Sequence, residues 1–308
     1  MRSTITFPVP STTTSRFVVA ADQMPADVRP LAYGHTYEAH VNGRLGTPQL
    51  SIERAGRLRW DPSQITSPDP HLREAETRLR DAEHLAVVTA VGPVTDQPRS
   101  VQVARAAAFA IAHATGGVAA DLVTGHILEP RADERPRFVL ADAWLGDVLP
   151  PQRANGRCTA PEPDHDPEGV NGCACVRLMT RGLRRFGLPE LQISDIACPH
   201  DHTALNVLRA TARRLLTDHW SWLTTGPADR ARTIDADLPL STGDYHDFWG
   251  DSPATTPETA FHVHLTPVTP RLIAVGPPED FPGTSNDWLW SEALPTALHT
   301  PTTIPTAA

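Results

Sequence analysis

Cys158, Cys173, Cys175 and Cys198 are the only cysteines in this 308-residue chain, and all fall between positions 158 and 198. His165, His200 and His202 lie within or just beyond the same stretch. Thiolate and imidazole are the ligands zinc prefers in a tetrahedral shell, so the four cysteines form a candidate structural zinc site. The spacing lacks the Cys-x2-Cys knuckle of familiar fingers. On a strand, Cys173 and Cys175 would face the same side, where they could share one metal or act as a thiol redox pair. Ordinary burial of free thiols is the third reading.

Histidine supplies a second set. His262 and His264 flank Val263 in a segment of alternating polarity, which predicts two imidazoles on one strand face. Such a pair could begin a metal or acid–base site if a carboxylate came near, and Asp244, His246 and Asp247 are candidate neighbours. His200 and His202 flank Asp201 at the start of an amphipathic stretch, where either could serve as a general base and Asp201 as a helix N-cap. Arg177, Arg181, Arg184 and Arg185 make a basic run able to take a carboxylate or phosphate, or simply a solvated face. The aromatic-acidic segment 245–251 could line a pocket or pack on the core.

Every one of the 27 basic residues is arginine. Without lysine the chain cannot form a Schiff base with pyridoxal phosphate, and it has no P-loop lysine for a nucleotide. No His-Glu-x-x-His, Gly-x-Ser-x-Gly or dinucleotide-binding glycine fingerprint occurs either. A net charge of −9 and a pI near 5.8 argue against a nucleic-acid partner. No apolar run approaches the ~20 residues of a membrane span, and no signal-like segment opens the chain, so the expected compartment is the cytoplasm.

These side chains need a scaffold. Residues 1–65 read as a β-rich segment, with strands expected at 4–9, 16–21, 35–42 and 49–54. A helix is expected over 69–83, with Glu74–Arg78 and Glu76–Arg80 at i,i+4 spacing. The clearest unit is an apolar strand at 85–91, a helix over 98–114 opened by Pro98 and closed by Gly116-Gly117, and a strand at 118–123. Further strands are expected at 137–144, 173–179, 190–196, 261–266 and 271–275, with helices over 201–222 and 287–294. Residues 145–172 and 225–258 read as loops, and 296–308 as a frayed tail. The mixture predicts an α+β fold, a mixed sheet flanked by helices over 66–295.

The stretch from Thr180 to Ile193 carries the pattern Thr-x-Gly-x3-Phe-Gly-x-Pro-Glu followed by alternating apolar positions. It resembles a signature of a bacterial family of uncharacterised α+β domains, distantly similar to suppressor-of-fused-like domains. The unit over 85–127 is similar to that family's preceding segment, and the two cover roughly a fifth of the chain. The resemblance implies an α+β domain with a binding or accessory role and brings no chemistry with it. Within the motif, Gly182 and Gly187 suit turns, and Glu190 could cap local backbone or pair with Arg185. The expected function is therefore a binding or accessory protein for a small molecule or protein partner. A metal- or His-dependent enzyme and a thiol redox protein are the alternatives.

Overall fold

The computed structural model describes residues 3–34, 36–55, 72–148, 174, 176–226, 230–251 and 260–293. Two sheets and a two-stranded ribbon organise the chain, in the α+β arrangement the sequence predicts. Strands β1 (Thr4–Pro8) and β2 (Thr12–Ala21) come first, then helix α1 (Glu38–Arg44) and strand β3 (Leu50–Ala55). Helix α2 (Arg73–Asp81) precedes β4 (His84–Pro93), α3 (Arg99–Thr115), β5 (Val118–Asp121) and β6 (His126–Ile127).

The five-stranded sheet runs β3-β4-β2-β5-β6, so the N-terminal segment is not set apart but supplies its central strand. Residues 17–21 of β2 are buried without alternation because both faces of the sheet are covered. Phe17, Val19 and Ala21 point into the main core with α3, while Val18 and Ala20 join Leu79 and Ala82 beside α2. Helix α3 is alanine-rich and buried from Ser100 to Ile111, which lets it lie close on β2 and β4.

The second half builds a six-stranded mixed sheet in the order β11-β12-β13-β9-β8-β7. Its strands are β7 (Gly146–Val148), β8 (Val176–Arg181), β9 (Glu190–Ile196), β11 (Asp237–Ser241), β12 (Ala260–Thr269) and β13 (Leu272–Gly276). All neighbours are antiparallel except β13 and β9. Helix α4 (Asp201–Thr224) packs on β9, β8 and β11, burying Val207, Leu208, Leu215 and Leu216. Strand β10 (Ala231–Asp235) returns to pair with β1. Helices α5 (Thr242–Trp249) and α6 (Ser285–Trp288) complete the set, each opened by a capping box, Ser241 with Asp244 and Thr284 with Asp287. No described helix is long and apolar enough to cross a membrane.

Three expectations are corrected. Where a strand is expected over 35–42, residues 38–42 belong to α1, and Tyr37 and Val41, four residues apart, bury together on the core. Residues 137–144 form turns, with Asp142 N–H donating to the Val139 carbonyl and Ala143 at φ +57°, while Trp144 still points inward. The segment 225–258 is not one loop, since β10, β11 and α5 lie within it. Pro239 conceals β11 from a propensity reading, yet β11 is an edge strand, where proline is tolerated.

Charged groups lie deep between the sheets. Arg185 and Asp121, both fully buried, tie the turn after β8 to the end of β5, with Arg185 Nη2 2.7 and 2.8 Å from the two carboxylate oxygens. Asp121 Oδ1 also accepts the N–H of Val123 at 2.8 Å. Arg105 donates to Glu134 and Asp142, and its guanidinium lies 3.3 Å from the Trp144 ring centroid. Phe138 stacks near the same indole, with ring centroids 5.5 Å apart.

Candidate functional site

The site forms at one end of the six-stranded sheet, on the face turned away from the core. Asp237 opens β11 and pairs in register with His264 of β12, which in turn stands opposite Gly276 at the end of β13. The alternation of β12 sends Phe261, Val263 and Leu265 inward and leaves His262 and His264 together on the other face, as the sequence pattern predicts. After Gly276 the chain turns through the proline-bracketed acidic segment 277–282, which brings Glu279 and Asp280 back over the strands. Glu292 approaches from the helical turn that follows α6.

The result is an open cleft of about 620 Å3 lined by Asp237, Glu279, Asp280 and Glu292, with His262 on the wall and Phe281 as its main apolar contribution. His264 is nearly enclosed and holds the wall together. Its Nδ1 lies 2.7 Å from Asp237 Oδ1 and its Nε2 3.3 Å from Glu279 Oε1. With both nitrogens facing carboxylates, this ring acts as a latch between β11, β12 and the acidic turn. His262 stands beside it, more exposed, facing the cleft.

The expected neighbours of the two histidines lie elsewhere. Asp244 closes the capping box of α5, and burial pushes its carboxyl above the usual range against the opposing pull of the Ser241 backbone. Asp247 pairs with Arg213 at 3.3 Å, and His246 meets Tyr245 edge-on. The carboxylates that do converge come from positions 237, 279, 280 and 292. Their one sequence signal is the Glu279-Asp280 pair bracketed by prolines directly after a strand.

The structure separates His200 from His202. His200 is buried in the 3-10 turn Cys198–His200 with its ring edge-on to Trp290, whereas the side chain of His202 is 91% exposed. Asp201 is the first residue of α4 and not its N-cap; its Oδ1 accepts the His202 N–H. The four arginines also diverge. Arg177 donates to Gln192, Arg181 is half-buried on the same strand face, Arg184 is exposed with its Nε 3.9 Å from Glu190, and Arg185 is spent on Asp121. Glu190 acts as a local cap, accepting from Thr180 Oγ1 and the N–H groups of Gly182, Leu183 and Arg184. Cys158, Cys173 and Cys175 lie outside the described residues. Cys198 is half-buried against the core at the end of β9.

One polar cluster escaped the sequence reading. His126 on β6 and Asp147 on β7 approach each other beside Arg209 of α4, whose Nη2 is 3.2 Å from Asp147 Oδ2. Burial pushes the His126 imidazole down and the Asp147 carboxyl up. Its members are too far apart in sequence to have been paired by spacing. Comparison with protein-family models, curated proteins and solved structures finds no match to this chain.

Proposed function

We infer that this chain is a binding or accessory protein whose ligand site is the acidic cleft beside β11 and β12, and that its ligand is a small organic cation. The observation that carries this reading is the convergence of four carboxylates from three separate elements on one cleft of ligand size. Among the described residues no group of three or more His, Cys, Asp or Glu side chains closes as a metal shell. Carboxylates spread along a cleft suit distributed positive charge, as on a diamine, better than a single ion. Asp237 and Glu279 are 53% and 69% exposed, so each contact is worth only about 0.5–1 kcal/mol. Four such contacts correspond to a dissociation constant of about 1–30 mM at low salt, weakening as salt screens them.

Calorimetric titration with 1,4-diaminobutane tests the reading. Saturable binding that is lost in the Glu279→Gln/Asp280→Asn variant and weakened by added salt would support it. No heat with the diamine, or equal binding by the variant, would overturn it.

The zinc reading draws on one separate observation. Val176, the residue after Cys175, pairs across the sheet with Ile196, two residues before Cys198. Elemental analysis of protein purified without added metal, with a thiol count, tests it. One zinc per chain, lost in Cys173→Ser/Cys175→Ser, is the expected result; four titratable thiols and no metal would end it.

A further inference from the structure

We propose that the hollow at the C-terminal end of α3 is a second binding site, independent of the acidic cleft, for a small apolar molecule carrying a carboxylate. The hollow measures about 330 Å3 and lies between α2, the last turn of α3, the first residues of β5 and the segment after β6. Its walls are Phe109, Ala112, Val118, Leu128 and Pro130, an apolar surface on which only the rim is charged. That volume lies at the low end of ligand pockets, matching a medium-chain or single-ring acid more closely than a larger cofactor.

The charge at the rim selects the ligand. Arg131 is already matched, forking to both oxygens of Asp142 at 2.8 and 2.9 Å and reaching Glu129 at 3.4 Å. Arg78 is not. Its expected i,i+4 partner Glu74 does not engage it, although the parallel pair Glu76–Arg80 forms at 2.6 Å. Arg78 extends instead to the Gly116 carbonyl at the end of α3, and among the described residues no carboxylate pairs with it. A guanidinium with one donor on a backbone carbonyl keeps further donors for an anion. By occupying the helix C-terminus it also offsets the negative end of the α3 dipole, which would otherwise repel a carboxylate. Gly116 lies beside open space, with nothing within 4 Å of a Cβ built there, and its φ of +60° disfavours a side chain.

The apolar tail would lie along Phe109, Val118 and Leu128, with the carboxylate on Arg78 and away from Glu129. Calorimetric titration with octanoate, and separately with octylammonium, tests this on the full chain. Octanoate should bind saturably and octylammonium should not. Arg78→Gln should weaken octanoate about tenfold, the loss of a charge-assisted contact. Ala132→Trp, at an exposed position on the rim, should block the hollow and abolish binding without loss of fold by circular dichroism. Absence of octanoate binding, equal binding of octylammonium, or octanoate binding unchanged in both variants would overturn the proposal. None of these outcomes bears on the diamine titration of the acidic cleft.

Discussion

The buried pair Arg185–Asp121 offers the sharpest test of how this fold is held. Both side chains are fully enclosed, and among the described residues Arg185 Nε and Nη1 have no hydrogen-bond partner and Asp121 alone answers the guanidinium. Asp121 has other support, since its Oδ1 accepts from Val123 and, more weakly at 3.4 Å, from Thr124. The two deletions should therefore be unequal. Asp121→Asn strands a buried cation that cannot shed its proton and should cost about 3–5 kcal/mol. Arg185→Met leaves a carboxylate that keeps its backbone donors, and should cost about 2 kcal/mol, the worth of a charge-assisted hydrogen bond. The double variant should be less destabilised than the sum by at least about 2 kcal/mol. Urea unfolding at neutral pH, followed by tryptophan fluorescence, reads all three, because the Trp144 ring lies 5.7 Å from the Arg185 guanidinium. A larger cost for Arg185→Met than for Asp121→Asn, or additive single costs, would refute the reasoning.

Two further perturbations follow from the core. Burial, with the Arg232 charge adding to it, holds the His219 imidazole down to about 4, so the folded state takes it neutral. Its contribution is fully present above the unfolded value near 6.5 and is lost as pH falls toward 4, on the order of 3 kcal/mol. His219→Phe, which preserves the stacking on Trp222, should flatten the pH dependence of unfolding in that window; an unchanged slope would count against the assignment. Gly187 sits at φ +86° with Val94 Cγ2 2.5 Å from a built Cβ, so Gly187→Ala should cost about 2–4 kcal/mol. Gly43→Ala, in α1 with nothing within 4 Å, should be neutral or slightly stabilising, and equal melting shifts for the two would show that the close approach does not matter.

Apolar content and length revealed the more deeply buried elements. The strand at 84–93, the helix at 99–115 and the helix at 201–224 were legible because runs of apolar residues there have the length and termini of their element. Strand β11 was not, because Asp237, Pro239 and Ser241 occupy the outward face of an edge and only Leu238 and Leu240 point in. Turns around Trp144 misled for the opposite reason: bulky apolar residues there are buried by tertiary packing without extended backbone. Of the candidate cleft, His262 and His264 could be read from alternation on one strand. The carboxylates could not, since Asp237 meets His264 through strand register and Glu279 through a turn, neither of which a linear spacing encodes.

The pairing of β1 with β10 has a consequence for how the chain is made. Thr4 to Pro8 wait for residues 231–235 before their ladder can close. At typical elongation rates of about 5–20 residues per second, the first strand remains without its partner for roughly 10–45 s. During that time Ile5 and Phe7, buried in the finished fold, are open to water and to other chains. The β2-centred sheet can assemble much earlier, since its last strand ends at residue 127. The topology thus allows a stage of synthesis with one sheet formed and β1 unpaired, the interval in which a nascent-chain chaperone would matter most.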